Sequence, residues 1–159
     1  MTSQLRVTLC GSLFLLAAAG WLWSESTFLQ AAAPAEKKDA PLPVEPDMHE
    51  FMEYVFQPSF KRLKPAMAAA PTDNAGWKTI KAESLTLAES GNLLLLRPSE
   101  EDATDWVKHS LLVRDFGGQL YRSAKAKDYP TARKHYETML QHCNACHHQF
   151  AGGEHILAP

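Results

Sequence analysis

Cysteine is scarce in this chain, with three residues among 159. Cys143 and Cys146 lie close together near the C-terminal end, whereas Cys10 lies alone in an apolar N-terminal run. The chain therefore lacks the second cysteine pair that completes a four-cysteine zinc module. It also lacks a surplus of one charge, because 16 Lys and Arg are mixed with 18 Asp and Glu and form no basic stripe. We therefore expect no nucleic-acid partner.

Strand patterning is lacking as well. From about position 47 onward, apolar residues recur at three- and four-residue steps, the period of a helix, rather than at alternate positions. A C-x-x-C pair that works as a redox dithiol is expected in a βαβ setting, which disfavours that interpretation here. The pattern predicts an all-α domain.

The N-terminal segment is apolar and almost free of charge. Arg6 is the only basic residue before an uncharged run over residues 7–23, which is typical of an export signal, and Cys10 within it is a small hydrophobe. Small residues at 31–35 offer cleavage sites, with cleavage expected before Glu36. The alternative is an uncleaved anchor, because about 17 apolar residues reach the lower limit for a membrane span. Both alternatives predict a folded part outside the cytoplasm, periplasmic or otherwise exported.

The rest of the chain divides by composition. Residues 36–46 hold three prolines and two lysines among small residues, and predict a flexible tether after the 1–35 leader. Residues 47–153 form one predicted helical domain, and 154–159 form a tail. About 110 residues are enough for a single hydrophobic core.

The first helix is predicted to begin after Asp47, a good N-cap that follows Pro46. Pro58 interrupts it, and we expect a kink near Gln57 because proline removes a backbone hydrogen bond and crowds the preceding turn. The residues predicted to face the core recur at helical spacing: Met48, Phe51, Met52, Val55, Ser59, Leu63 and Met67.

Two further helices follow the same rhythm. Asp73 or Asn74 caps the second, which should stop before Pro98, and Ser99 with Asp102 opens the third as an S-x-x-D capping box. Their predicted inner faces are Trp77, Ile80, Ser84, Leu87, Ala88, Gly91, Leu94 and Leu95, then Ala103, Trp106, Val107, Ser110, Leu111, Leu120, Tyr121 and Ala124.

The fourth helix should begin near Asp128 with Pro130 in its first turn, and end at Gly152 and Gly153. Short connections make neighbouring helices antiparallel. The predicted fold is an antiparallel up-down-up-down four-helix bundle, and cofactors in such bundles lie in the core between facing helices. Adjacent glycines at 117 and 118 in the third helix predict either a close approach to the backbone, with a cofactor as one candidate, or a kink.

Cys143, Cys146 and His147 form a C-x-x-C-H run on the last predicted helix. Residues at i, i+3 and i+4 share one face of a helix, so two thiols and an imidazole point the same way. This run is the attachment signature of haem c, in which the thiols bind the haem and the histidine binds its iron. Zinc is the alternative, because His142 and His148 flank the motif. A chance match is the third interpretation.

Helix order, domain length and a C-x-x-C-H on the last helix resemble the cytochrome c′ superfamily. Phe150 matches an aromatic residue common in that family, whereas Ala151 stands where a basic residue is often found. The resemblance implies that the first helix covers the other side of the iron. In some members an apolar residue leaves that side open for gases such as nitric oxide or carbon monoxide, and in others a methionine binds the iron.

Met52 lies on the predicted inner face one turn from the helix start, at the depth of the methionine ligand in the six-coordinate relatives. It is therefore the candidate second iron ligand, with Met48 as a lesser candidate. The alternative is an open site screened by Met52, Phe51 or Val55, and a methionine at helical spacing is also ordinary core filler. Histidines 49, 109, 135, 142 and 148 are predicted to lie at the surface or rim, and Trp77 and Trp106 in the core.

These observations predict an exported mono-haem electron carrier rather than an enzyme, with redox proteins as partners. A gas-binding haem protein with an open iron is one alternative, and a haem-free helical module that binds zinc is another. The leader adds a membrane tether as an option, and the family resemblance adds a homodimer through the first two helices.

Overall fold

A computed structural model describes residues 41–159 of the chain. The predicted leader with Cys10, and the start of the predicted tether, lie outside these residues. The described part is all-helical, with no strand between residues 41 and 159, as the spacing of its apolar residues predicted. None of its helices is both long and apolar enough to cross a membrane. The elements are α1 (Met48–Phe51), π1 (Met52–Phe56), α2 (Gln57–Ala66), α3 (Asn74–Leu94), α4 (Ala103–Ala126) and α5 (Tyr129–Phe150).

The first three elements form one continuous helix, called the first helix below. Its backbone stays right-handed through Phe51 (φ −63°, ψ −40°) and Gln57 (φ −59°, ψ −44°), which border the π segment. Pro58 follows immediately and donates no backbone hydrogen bond, so the regular ladder is disturbed just before it. The disturbance predicted near Gln57 takes the form of this π segment, which widens the helix over five residues.

An aspartate is the N-cap residue of each of the four helices. Asp47 accepts a hydrogen bond from the Glu50 amide at 2.9 Å, and Asp73 accepts one from the Gly76 amide at 2.8 Å, as predicted. Asp128 caps α5 in the same way through the Thr131 amide at 3.2 Å. Each cap satisfies an amide that has no partner within its own helix.

The predicted start of the third helix is wrong. Helix α4 begins at Ala103, and Asp102 rather than Ser99 caps it, through the Asp105 amide at 3.2 Å. Ser99 accepts instead from the Glu101 amide at 3.2 Å, which makes a local turn before the helix. Asp102 itself has a left-handed backbone (φ 44°) that a helix interior does not allow.

Most of the predicted inner faces are buried, including Trp77 and Trp106. Ala103 and Val107 are exposed, contrary to the prediction, because α4 presents Trp106, Ser110 and Val113 to the core. Two hydrophobic clusters result. The larger includes Leu63, Met67, Trp77, Ile80, Leu120, Tyr136 and Leu140, and the smaller consists of Phe51, Leu94, Trp106 and Cys146.

Helices α3 and α4 touch at backbone distance, and we call this contact the closed side. A Cβ added to Gly91 would lie 2.9 Å from the Arg114 nitrogen, and one added to Gly117 would lie 3.1 Å from the Ala88 Cβ. The close approach predicted at Gly117 is therefore to a neighbouring helix. Helix α4 runs without interruption through Gly117 and Gly118, and a Cβ added to Gly118 would meet only the Arg122 guanidinium.

The opposite side of the described domain is different, and we call it the open side. Helix α2 packs on α3, α3 on α4 and α4 on α5, but the backbones of the first helix and α5 make no close contact. Side chains bridge them at one end, where Tyr129 Oη and Arg133 Nη1 each donate to the Met67 carbonyl at 2.7 Å. The remaining space between them contains the site described next.

Candidate functional site

A cavity of about 370 Å³ lies on the open side, within the size range of small-molecule sites. Cys143, Cys146, His147 and Met52, the four residues predicted to form the site, all line it. Helix α5 supplies the first three residues and the π segment supplies Met52. Apolar side chains form much of the wall: Phe56, Phe60, Leu87, Leu94, Val113, Met139, Leu140 and Leu157.

The two thiols are held in an apolar setting. Burial raises the pKa of Cys143 to about 12 and that of Cys146 to about 11, so both stay protonated at neutral pH. They also lie in the last two turns of α5, at the end of the helix that disfavours a negative charge. Reactive redox dithiols have the opposite character, with a lowered thiol pKa. The raised pKa values of the two thiols therefore disfavour a reactive redox dithiol.

His147 is oriented by a backbone carbonyl. Its Nδ1 lies 3.0 Å from the carbonyl oxygen of His155, and because a carbonyl can only accept, Nδ1 must donate. Burial lowers the pKa of His147, which favours the neutral ring, although the His155 hydrogen bond opposes this shift. In the neutral ring the Nε2 lone pair is then free. Histidines that bind metals commonly use this arrangement.

The wall opposite α5 comes from the first helix. Met52 and Met48 are both half-buried and both line the cavity. Phe51 and Val55, predicted as alternative screens, do not line it. Phe51 is buried beneath the Arg97 guanidinium, whose central carbon lies 3.7 Å from the ring centre. Phe56 and Phe60 form the aromatic part of the wall instead.

One histidine of the wall was not predicted to lie there. His109 of α4 is half-buried and lines the cavity, and its Nε2 lies 3.1 Å from Gln149 Oε1. Its Nδ1 is buried with no hydrogen-bond partner among the described residues. The available sequence signal was its position three residues after Trp106 and four before Val113, which continues one stripe of the helix.

The other histidines mostly follow the prediction. His49 is exposed, borders the cavity and lies 3.5 Å from Glu53, while His148 is exposed. His142 is half-buried and is not among the residues that line the cavity. Its ring stacks on Phe116 with ring centres 5.1 Å apart, and burial lowers its pKa. His135 is half-buried rather than exposed, and its ring centre lies 6.3 Å from that of Phe116.

The residues present fit a c-type haem. Cys143 and Cys146 stand one helical turn apart facing an apolar cavity, and His147 offers a free Nε2 on the same helix. A structural zinc ion would need about four ligands. Between residues 41 and 159, no group of three or more His, Cys, Asp or Glu side chains is arranged to hold a metal ion.

Comparisons with known protein families, with curated proteins and with solved structures find no match to this chain. The resemblance to the cytochrome c′ superfamily therefore rests on the residues and geometry described above.

Proposed function

We propose that the chain is an exported mono-haem c-type cytochrome that carries electrons. Cys143 and Cys146 attach the haem through thioethers, and His147 binds its iron. The observation that carries the proposal is that Cys143, Cys146 and His147 line one largely apolar cavity, while a backbone carbonyl accepts from Nδ1 of His147 and leaves Nε2 available. A motif that matched by chance would have no reason to meet a cavity of this size or an oriented imidazole.

Haem iron would supply the one-electron chemistry, and the protein's part is to hold the group and set its potential. An apolar wall beside a bound haem would limit its contact with water and so disfavour the more highly charged state of the iron. Met52 faces the same cavity from the first helix. As a second iron ligand, its thioether would raise the potential further.

Contacts between helices support the up-down-up-down order of a cytochrome c′-like bundle. Along α3 and α4, Ala88 meets Gly117, Gly91 meets Arg114, and the Leu94 carbonyl accepts from the Trp106 indole at 3.1 Å. Later residues of α3 thus meet earlier residues of α4, as in antiparallel neighbours. We extend this order to the whole bundle, with the haem attached to α5.

A gas-binding haem protein is the second candidate. The wall that holds Met52 also holds Phe56 and Phe60, two apolar side chains able to screen an iron with an open position. Met52 is only half-buried, and no polar contact fixes a thioether in place. In this case small gases such as nitric oxide or carbon monoxide would be the ligands. The zinc-binding helical module is the third candidate, because the described residues do not bring together the ligands that a structural zinc ion needs.

Export belongs to the same proposal, because c-type haem attachment takes place on the far side of the bacterial membrane. The apolar run at residues 7–23 supports it, either as a cleaved signal or as a membrane tether. We propose redox proteins as the partners of the carrier, with a homodimer as an additional option carried over from the family resemblance.

Absorption spectra of the protein matured with a c-type attachment system test these functions. The carrier predicts a low-spin ferric spectrum and slow or absent binding of carbon monoxide to the ferrous form. A high-spin spectrum that changes at once with carbon monoxide would replace the carrier with the gas binder. Protein without covalent haem would contradict both.

A further inference from the structure

The tail, residues 154–159, follows Gly152 and Gly153 and turns back onto α5. Gly152 (φ 61°) and Gly153 (φ 79°) make the reversal, because glycine adopts positive φ without strain. His155 also has a left-handed backbone, at φ 58°. A histidine in that region is uncommon, and it persists where surrounding contacts fix the chain.

Asn144, an internal residue of the C-x-x-C-H motif, fixes the tail. Its Nδ2 donates to the Leu157 carbonyl at 2.9 Å, and its Oδ1 accepts from the Leu157 amide at 2.8 Å. This pair of hydrogen bonds holds both backbone groups of one residue. The Leu157 side chain adds a third attachment by packing against the larger hydrophobic cluster beside Cys143.

The held segment carries the carbonyl that orients His147. The His155 carbonyl lies between the glycine reversal and the Leu157 attachment, and it accepts from Nδ1 of His147 at 3.0 Å. Both ends of this short segment are therefore anchored to α5. Moving Leu157 away from Asn144 would release one anchor and allow the carbonyl to leave the imidazole.

We infer that Asn144 and the tail are positioning residues for the axial histidine, and that they set the haem potential through the His155 carbonyl. This inference rests on the proposed function of the site. A carbonyl that accepts from Nδ1 fixes the tautomer and rotation of the ring and makes Nε2 a more basic ligand. A more basic ligand stabilises ferric iron over ferrous iron, so an intact tail keeps the potential lower.

Asn144→Ala tests the inference, with Gln141→Ala, an exposed residue of the same helix that lies outside the tail contacts, as the matched control. In the haem-loaded Asn144 variant, we expect faster hydrogen exchange at the Leu157 amide. In the five-coordinate ferrous form obtained with Met52→Leu, we expect Asn144→Ala to lower the iron–histidine stretching frequency. We expect the ferric preference to weaken about tenfold, an upward shift of about 59 mV for a one-electron couple. An unchanged potential and stretching frequency would overturn the inference.

A chain that ends at Gly153 gives an independent measurement, because it removes the carbonyl without altering α5. It should show at least the same upward shift, and adding Asn144→Ala to it should change nothing more. Residues that act through one contact are non-additive in this way. Additive shifts would mean that Asn144 acts on the helix rather than through the tail, and would contradict the inference.

The two proposals fail differently. An unmutated chain without covalent haem would overturn the function and this inference together. Covalent haem in every variant, with one common potential, would leave the function standing and overturn only the role of the tail.

Discussion

The closed side and the open side of the bundle differ in how closely their helices approach each other. On the closed side, Gly91 and Gly117 let α3 and α4 approach until an added Cβ would meet backbone or Cβ atoms at 2.9–3.1 Å. On the open side, a cavity of about 370 Å³ separates the first helix from α5. Tight packing thus binds one pair of helices together and leaves the other pair apart. The thiols and His147 line the cavity between the separated pair.

The strongest test of the open side is Cys143→Ala combined with Cys146→Ala. Without thiols no thioether can form, so we expect complete loss of covalent haem after expression with a c-type maturation system. Haem staining of the denatured protein measures this directly. Gln141→Ala should keep the stain. A double variant that still stained would show that the haem is held elsewhere.

Met52→Leu tests the wall opposite α5. Loss of the thioether should convert a low-spin ferric haem to high-spin and allow carbon monoxide to bind the ferrous form. Stability should change by less than about 1.5 kcal/mol, because the volume is nearly conserved. Met48→Leu is the matched control from the same wall. If Met52→Leu stays low-spin, or if only Met48→Leu changes the spectrum, Met52 is not the ligand.

The glycines test the closed side. Gly91→Ala should destabilise the fold by about 1–3 kcal/mol, because its Cβ would meet the Arg114 backbone, which cannot move without shifting α4. Gly118→Ala is the control. Its Cβ would meet only the mobile Arg122 guanidinium at 3.3 Å, so it should gain up to about 1 kcal/mol of helix propensity. Denaturant unfolding measures both, and equal effects would refute the backbone contact.

The smallest change in unfolding free energy at neutral pH is expected at Tyr136, in the larger hydrophobic cluster. Its hydroxyl is buried without a hydrogen-bond partner among the described residues, and burial raises its pKa to about 12. Because the unfolded chain loses the tyrosine proton near pH 10, the contribution of the Tyr136 hydroxyl to the free energy of unfolding is constant below pH 10. It falls between pH 10 and 12, by at most about 1.4 kcal/mol per pH unit.

Tyr136→Phe should therefore lose this alkaline decline and keep or gain about 1 kcal/mol at neutral pH. The comparison is unfolding free energy against pH, with Tyr54→Phe, an exposed position, as the control. A clear loss of stability in Tyr136→Phe at neutral pH would mean that the hydroxyl has an important hydrogen-bond partner.

Local features of the fold were predictable from the sequence, whereas contacts between helices were not. The caps at Asp47, Asp73 and Asp128 follow from side chains that satisfy nearby amides. Asp102 displaced Ser99 because the turn before α4 takes a left-handed residue, which no spacing rule reveals. The role of Gly117 depends on which helix lies opposite, and the sequence does not encode that locally.

The site divides in the same way. The motif predicted the α5 wall because its three residues are neighbours in the sequence. The first-helix wall was predicted only in part, since the π segment changes the angle between residues and brings Phe56 rather than Val55 to the cavity. The contact of the tail with α5 was not predicted, because Asn144 holds the backbone of Leu157 and a backbone contact leaves no mark on residue type.

The most direct test of the account is whether haem stays on the unmutated chain after unfolding. The full-length protein, matured with a c-type attachment system, is denatured in acid and extracted with organic solvent. The account predicts that the haem remains with the protein and gives the pyridine spectrum of a haem with two thioether bonds. Haem that passes into the solvent, or protein that never acquires haem, would contradict it.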